Sequence, residues 1–178
     1  MSQQWVMPKG PFTGGCQCGA VRYRAEVLHD NPHVCYCRMC QKATGNLFAS
    51  LVGVRHEYLT WTRGTPSRFR SSEHVDRGFC ANCGTPLFYQ YLPGERVSLT
   101  IGSFDNPKAI ALRWQMGNEG KHPSLVHLDQ VESFGTTVGA CTSVLVQRLV
   151  HPRPSASTST RAMPAVVTVP LCGPNGSW

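Results

Sequence analysis

The stretch FCANCGTPLFYQY, residues 79–91, decides how this chain is read. Cys80 and Cys83 stand at C-x-x-C spacing with Gly84 directly behind them. A short turn of this kind carries both sulfurs to one face, and the glycine lets backbone N–H groups point at them. The aromatic-rich run that follows reads as a strand, and PLFYQYLPGERVSLTI as a hairpin turning at Pro93-Gly94. One such pair cannot fill a tetrahedral metal shell, so the knuckle needs a partner from elsewhere in the chain.

Two other cysteine groups offer one. Cys16-Gln17-Cys18-Gly19 is a tighter knuckle, and CYCRMCQK, residues 35–42, puts Cys35, Cys37 and Cys40 close together. Pairing Cys16 and Cys18 with Cys80 and Cys83 closes a four-thiolate site with metal–sulfur distances near ~2.3 Å, which would staple an N-terminal strand to the later hairpin. Cys35, Cys37 and Cys40 would then be three protein ligands with a fourth position for water or substrate, the pattern of a catalytic zinc. RMCQKATG carries the single local helix signal, with Gly45 as its stop. Cys40 falls in the first turn, where the helix dipole favours thiolate. Spacing alone leaves other partitions open: a site drawing on 16/18 and 35/37 also counts correctly, and three cysteines can hold an iron–sulfur cluster. An odd count and C-x-C spacing speak against a disulfide framework or simple buried thiols.

The totals agree with a small, turn-rich domain. The chain has 178 residues, 41% of them hydrophobic, with 17 Gly and 13 Pro, which favours short elements over long helices. AVRYRAEV alternates Val21, Tyr23, Ala25 and Val27 against Arg22, Arg24 and Glu26, and LFASLVGV and PSRFRS are further strand-like runs. No apolar run approaches the roughly 20 residues of a membrane span. MSQQWVMPKGPF lacks the regions of a secretory leader, so a cytoplasmic protein with reduced thiols is expected. The formal charge of +7 invites a nucleic-acid partner. Seven thiolates around two divalent ions would reduce it to about +4, and three arginines of the acid-free tail (Arg148, Arg153, Arg161) account for most of the rest. The tail itself, from residue 135 to 178, is Ser, Thr, Pro and Ala without periodicity, and a disordered extension is expected there. Cys141 and Cys172 fall in it, outside the clusters.

GGCQCGAVRY, CYCRMCQKATG, RGFCANCGTPLFY and GSFDNP, in this order, resemble the glutathione-dependent formaldehyde-activating enzyme family, which includes centromere protein V-like members. The resemblance covers residues 12–134. It implies a mainly β, Mss4-like fold of small coiled antiparallel sheets stapled by zinc, with one short helix. It implies two zinc ions per chain, a structural one on Cys16, Cys18, Cys80 and Cys83 and a second, open one on Cys35, Cys37 and Cys40. It further implies a carbon–sulfur lyase that condenses formaldehyde with glutathione to S-hydroxymethylglutathione. Two features depart from the family pattern: Tyr36 stands where a His is more usual, and the tail matches nothing in it.

Charge points the same way. A dication with three thiolates carries about −1, which makes it a poor activator of water but a good host for a fourth sulfur. Glutathione is anionic, and Arg38 and Lys42 flank the open cluster in sequence as candidate contacts for it. His33 reads as a strand histidine rather than a proton relay, and Trp61 and Trp114 as core. Phe104-Asp105 in GSFDNP reads as a turn in which Asp105 caps local backbone. The rival reading is an adaptor module of the same fold, with Arg63, Arg68, Arg70 and Arg77 as a contact patch for protein or nucleic acid.

Overall fold

The computed structural model describes residues 9–133, and the extension expected from residue 135 onward lies outside them. The strands in chain order are β1 (Phe12–Gly15), β2 (Arg22–Ala25), β3 (His33–Cys35), β4 (Ala49–Arg55), β5 (Leu59–Arg63), β6 (Ser67–Ser72), β7 (Val75–Phe79), β8 (Pro86–Tyr91), β9 (Arg96–Thr100) and β10 (Trp114–Met116). One α-helix among the described residues, α1 (Arg38–Thr44), follows β3. The expectation of a mainly β chain with one short helix holds.

The strands make two sheets, a three-stranded one in the order β1-β2-β5 and a seven-stranded one in the order β10-β3-β4-β9-β8-β7-β6. Alternation explains which faces meet. In β2, Tyr23 and Ala25 are buried while Arg24 is exposed, and Val21 just before the strand is buried as well. Val27 departs from that pattern at 52% exposure, because the strand ends at Ala25 and Leu28 takes the buried place instead. The core gathers Tyr23, Val52, Val54, Leu87, Leu99 and Phe104. Tyr23 meets Trp61 and Phe104 edge-on, with ring centroids 5.7 and 5.4 Å away, so Trp61 belongs to the core margin as expected. The Tyr23 hydroxyl donates to Ser103 Oγ at 2.8 Å, and Ser103 in turn donates to the Thr100 carbonyl. Burial pushes the Tyr23 phenol up, so it stays a neutral donor.

Two local expectations change. Asp105 does not cap its own turn. Its carboxylate accepts from Thr13 Oγ1 at 2.6 Å and from Arg22 at 2.5 Å, tying the segment after β9 to the first sheet. The Arg22 guanidinium holds the Asp105 carboxyl below its usual range. The sheet is also not wholly antiparallel, since β10 pairs with β3 in parallel register, Trp114 opposite His33 and Met116 opposite Cys35. The segment from Ile101 to Arg113 brings the chain to the start of β3, where Arg113 N–H donates to the Pro32 carbonyl at 2.7 Å. Trp114, expected in the core, is therefore on an edge strand, 45% exposed and stacked on the His33 ring at 4.2 Å. No helix among the described residues is long and apolar enough to cross a membrane.

The approach of β1 to the segment after β9 sets a packing limit. Gly14 bridges Phe104, and a Cβ there would collide with the Tyr23 hydroxyl and the Ser103 carbonyl. A Cβ on Gly102 meets nothing within 4 Å. Gly14→Ala should cost roughly 1–3 kcal/mol and lower the thermal midpoint by several degrees. Gly102→Ala should leave it unchanged, and calorimetric melting of the two variants checks the difference.

Candidate metal centres

The two knuckles are built alike. In the first, Cys16 N–H donates to the Val21 carbonyl at 2.9 Å and Gly19 N–H to the Cys16 carbonyl. In the second, Cys80 N–H donates to the Thr85 carbonyl at 3.0 Å and Gly84 N–H to the Cys80 carbonyl. Gly19 and Gly84 both take φ +74°, the left-handed conformation that lets the chain turn back under the sulfurs. Gln17 N–H donates to Thr85 Oγ1 at 3.2 Å, which joins one knuckle to the other.

This brings Cys16, Cys18, Cys80 and Cys83 together, with their four sulfurs within 4.8 Å of one another. Cys16 and Cys18 sulfurs are 3.5 Å apart, Cys18 and Cys80 sulfurs 3.8 Å. Four sulfurs around a metal at 2.3 Å stand about 3.8 Å apart, so the spacing suits a tetrahedral thiolate site. The charges agree. The Thr85 hydroxyl, helped by backbone N–H groups, lowers the Cys83 thiol to about 6. At Cys16, burial and the Cys83 thiol resist ionisation, but the Val21 N–H and the Cys80 and Cys18 thiols outweigh them, so its pKa is lowered too. Cys18 has the Ala20 N–H in its favour, yet the Cys16 and Cys83 sulfurs push it up to about 12. Some sulfurs of the group ionise only if others stay protonated. A dication removes that conflict.

The second group is more local. Cys35 ends β3, Cys37 precedes α1, and Cys40 lies in its first turn, the three sulfurs again within 4.8 Å. Gly45 closes the helix at φ +63°, with its N–H on the Gln41 carbonyl. Burial pushes the Cys35 thiol up to about 12. Burial also resists ionisation of Cys37, but the Cys40 N–H and the Cys35 and Cys40 thiols lower it. Cys35 and Cys40 are buried with Ala49 and Leu51, and Cys37 and Tyr89 pack at the margin. The donor set is therefore three sulfurs in a largely apolar setting, suited to a thiophilic metal.

Sequence reasoning missed what surrounds this group. The segment from β10 to Gly120 lies against the cysteine loop. Tyr36 N–H donates to the Met116 carbonyl, Tyr36 Oη donates to Gln115 Oε1 at 3.1 Å, and Gln41 Nε2 donates to the Gly120 carbonyl at 2.8 Å. A Cβ on Gly117 would come within 2.8 Å of the Cys37 nitrogen. The larger omission is Arg77. It is 6% exposed, and its Nη2 donates to Cys40 Sγ at 3.4 Å. It therefore does not belong to a surface patch. Its companions in the expected basic run are also engaged, Arg63 on the Gly19 carbonyl, Arg68 on Gln90 and Arg70 on Asp76.

Arg38 and Lys42 are exposed on α1, and Arg38 donates to Gln41 Oε1 at 3.2 Å. His33 is buried, its Nδ1–H donating to the Asn31 carbonyl at 2.8 Å, which fixes the ring in the strand.

A mainly β scaffold carrying one four-thiol and one three-thiol cluster defines a protein equipped to hold two metal ions. The chain belongs to the glutathione-dependent formaldehyde-activating enzyme family, whose model matches residues 11–116. It is also 25% identical over 84 residues to an uncharacterised lyase of Schizosaccharomyces pombe, an alignment covering 47% of this chain and 61% of that relative. A solved protein of Rhodobacter sphaeroides matches with a TM-score of 0.49 at 22% identity, over 58% of this chain and 99% of that one.

Purified under reducing conditions, the protein should carry two metal ions per chain by elemental analysis. Cys80→Ser should unfold it, since metal binding at a closed thiolate site is folding free energy on the order of 10 kcal/mol. Cys37→Ser should keep the melting transition and lose one ion. Because Cys18 and Cys35 must give up protons on metal binding, metal loss to a chelator should accelerate as the pH falls, read as release rate against pH.

Proposed function

We propose that the protein is a zinc-dependent carbon–sulfur lyase that joins formaldehyde reversibly to a low-molecular-weight thiol, glutathione foremost, giving the S-hydroxymethyl adduct. The observation that carries this reading is the three-sulfur group itself. Cys35, Cys37 and Cys40 are brought together with no fourth protein donor among the described residues, whereas the other cluster has four. Family membership and the lyase name of the yeast relative support the same reaction class. Zinc held by the three cysteines would supply a soft cationic centre at which an incoming thiol stays ionised at neutral pH.

The chain's own residues contribute binding and environment. Cys35 and Cys40, buried with Ala49 and Leu51, keep the donor set away from bulk water. The Arg77 guanidinium against Cys40 Sγ offsets one thiolate charge, so a fourth anionic sulfur meets less repulsion than three bare thiolates would impose. Arg38 and Lys42 supply exposed positive charge on α1 that would draw an anionic thiol toward the cluster. In the reaction the thiol sulfur forms a bond to the formaldehyde carbon. The C=O π pair moves to oxygen, and the proton given up by the thiol ends on that oxygen. Atoms and charge balance without an oxidant.

The test compares wild type with Cys37→Ser at known metal content, following exchange between free glutathione, formaldehyde and adduct by NMR. Wild type should accelerate exchange above the spontaneous rate, and Cys37→Ser should return it to that rate. Equal acceleration by both would remove the cluster from the reaction. No acceleration by wild type, together with tight binding of a protein or nucleic acid, would establish the adaptor reading in its place.

A further inference from the structure

We propose that the cavity bounded by Arg77 is a subsite for a carboxylate of the thiol substrate, and that Arg77 is the residue that selects acidic thiols. The inference rests on the thiol-binding reading of the three-cysteine group.

Arg77 lies on β7 and is almost wholly buried. A buried guanidinium is costly unless its charge and its N–H groups are answered. Its partners answer only part of this. Nε donates to Ser71 Oγ at 3.1 Å, Nη2 donates to Cys40 Sγ at 3.4 Å, and the guanidinium carbon sits 5.1 Å from the centre of the Tyr89 ring. Among the described residues no carboxylate pairs with it, and the adjacent Asp76 is held by Arg70 at 2.8 Å. Nη1 has no partner among them either. Among the described residues no fully occluded side-chain nitrogen lacks a hydrogen bond, so Nη1 keeps some accessible surface.

Arg77 lines a cavity of about 120 Å³, whose wall also includes Leu51, Phe69, Phe79, Phe88 and Tyr89. A largely aromatic and aliphatic wall beside a guanidinium that has no carboxylate partner and one unpaired nitrogen suits a carboxylate on a short stem, because a guanidinium N–H forms a strong charge-assisted hydrogen bond to carboxylate. The volume is too small for a whole tripeptide, so one acidic arm would enter and the remainder stay outside. Position links the subsite to the chemistry. The same guanidinium touches Cys40, and Ala43 and Thr44 of the helix that carries Cys40 line the cavity wall. A thiol seated at the three-cysteine group can therefore place a nearby carboxylate on Arg77, and the two attachments reinforce each other through effective concentration.

The test uses the full-length, metal-loaded protein and two small thiols that differ in the acidic end, 3-mercaptopropionate and 2-mercaptoethanol, titrated by calorimetry. Wild type should bind the acid about tenfold more tightly, the scale of one charge-assisted hydrogen bond. Arg77→Met should bring the ratio near one, and Arg77→Lys should recover part of it. Propionate should compete with 3-mercaptopropionate and leave 2-mercaptoethanol binding untouched, a comparison that needs no variant if Arg77→Met fails to fold. Equal affinity of wild type for the two thiols, or a ratio that survives in Arg77→Met, overturns the subsite while leaving the thiol reading in place. If wild type binds neither thiol, both fall together.

Discussion

Sulfur atoms held 3.5 to 3.8 Å apart cannot all be ionised in the absence of a cation. At about 4 Å, two like charges repel by roughly 4 kcal/mol even at an intermediate effective dielectric constant. Much of the architecture answers that repulsion. The left-handed glycines let the chain turn back under the sulfurs, Val21 N–H and the Thr85 hydroxyl each favour a thiolate, and the neighbouring sulfurs push the Cys18 thiol up. Strand order then matters because it decides which sulfurs share the problem. The first knuckle adjoins β2 in the small sheet and the second joins β7 to β8 in the large one, so the four-sulfur group is where the two sheets are pinned together.

The three-sulfur group meets the same constraint differently. It has three donors rather than four, and a buried guanidinium donates to one of them, Cys40. An arginine in this position keeps its charge at any physiological pH, so the compensation is permanent. The two clusters thus differ in charge as well as in donor number: the four-sulfur group relies on backbone N–H groups and the Thr85 hydroxyl, and the three-sulfur group adds a buried guanidinium.

What was legible in the sequence was local. The knuckles, the helix stop at Gly45, the hairpin at Pro93-Gly94 and the alternation of β2 all depend on residues within a few positions of one another. What stayed hidden depended on strand order. Spacing allowed Cys16 and Cys18 to be matched with either later group, and only the sheet order separates those cases. Arg77 looked like Arg68 and Arg70, because a strand's sequence does not say which neighbour its inward face will meet. Trp114 looked like core because size and hydrophobicity say nothing about a parallel edge strand. Asp105 showed turn chemistry while its partners were far back in the chain, at Thr13 and Arg22.

The sequence distance between the knuckles has a consequence for synthesis. Cys18 and Cys80 are separated by 62 positions, so the four-sulfur group cannot assemble until most of the domain has left the ribosome. Cys35, Cys37 and Cys40 lie in one short stretch and are complete long before Arg77 emerges. For that interval the nascent chain displays a three-thiol chelate without its guanidinium and without the sheets that bury it. Closing the long loop is slow relative to local turns. The vulnerable period for oxidation, or for capture of the wrong metal, therefore falls on the cluster that forms first, and the late strands β7 and β8 end it.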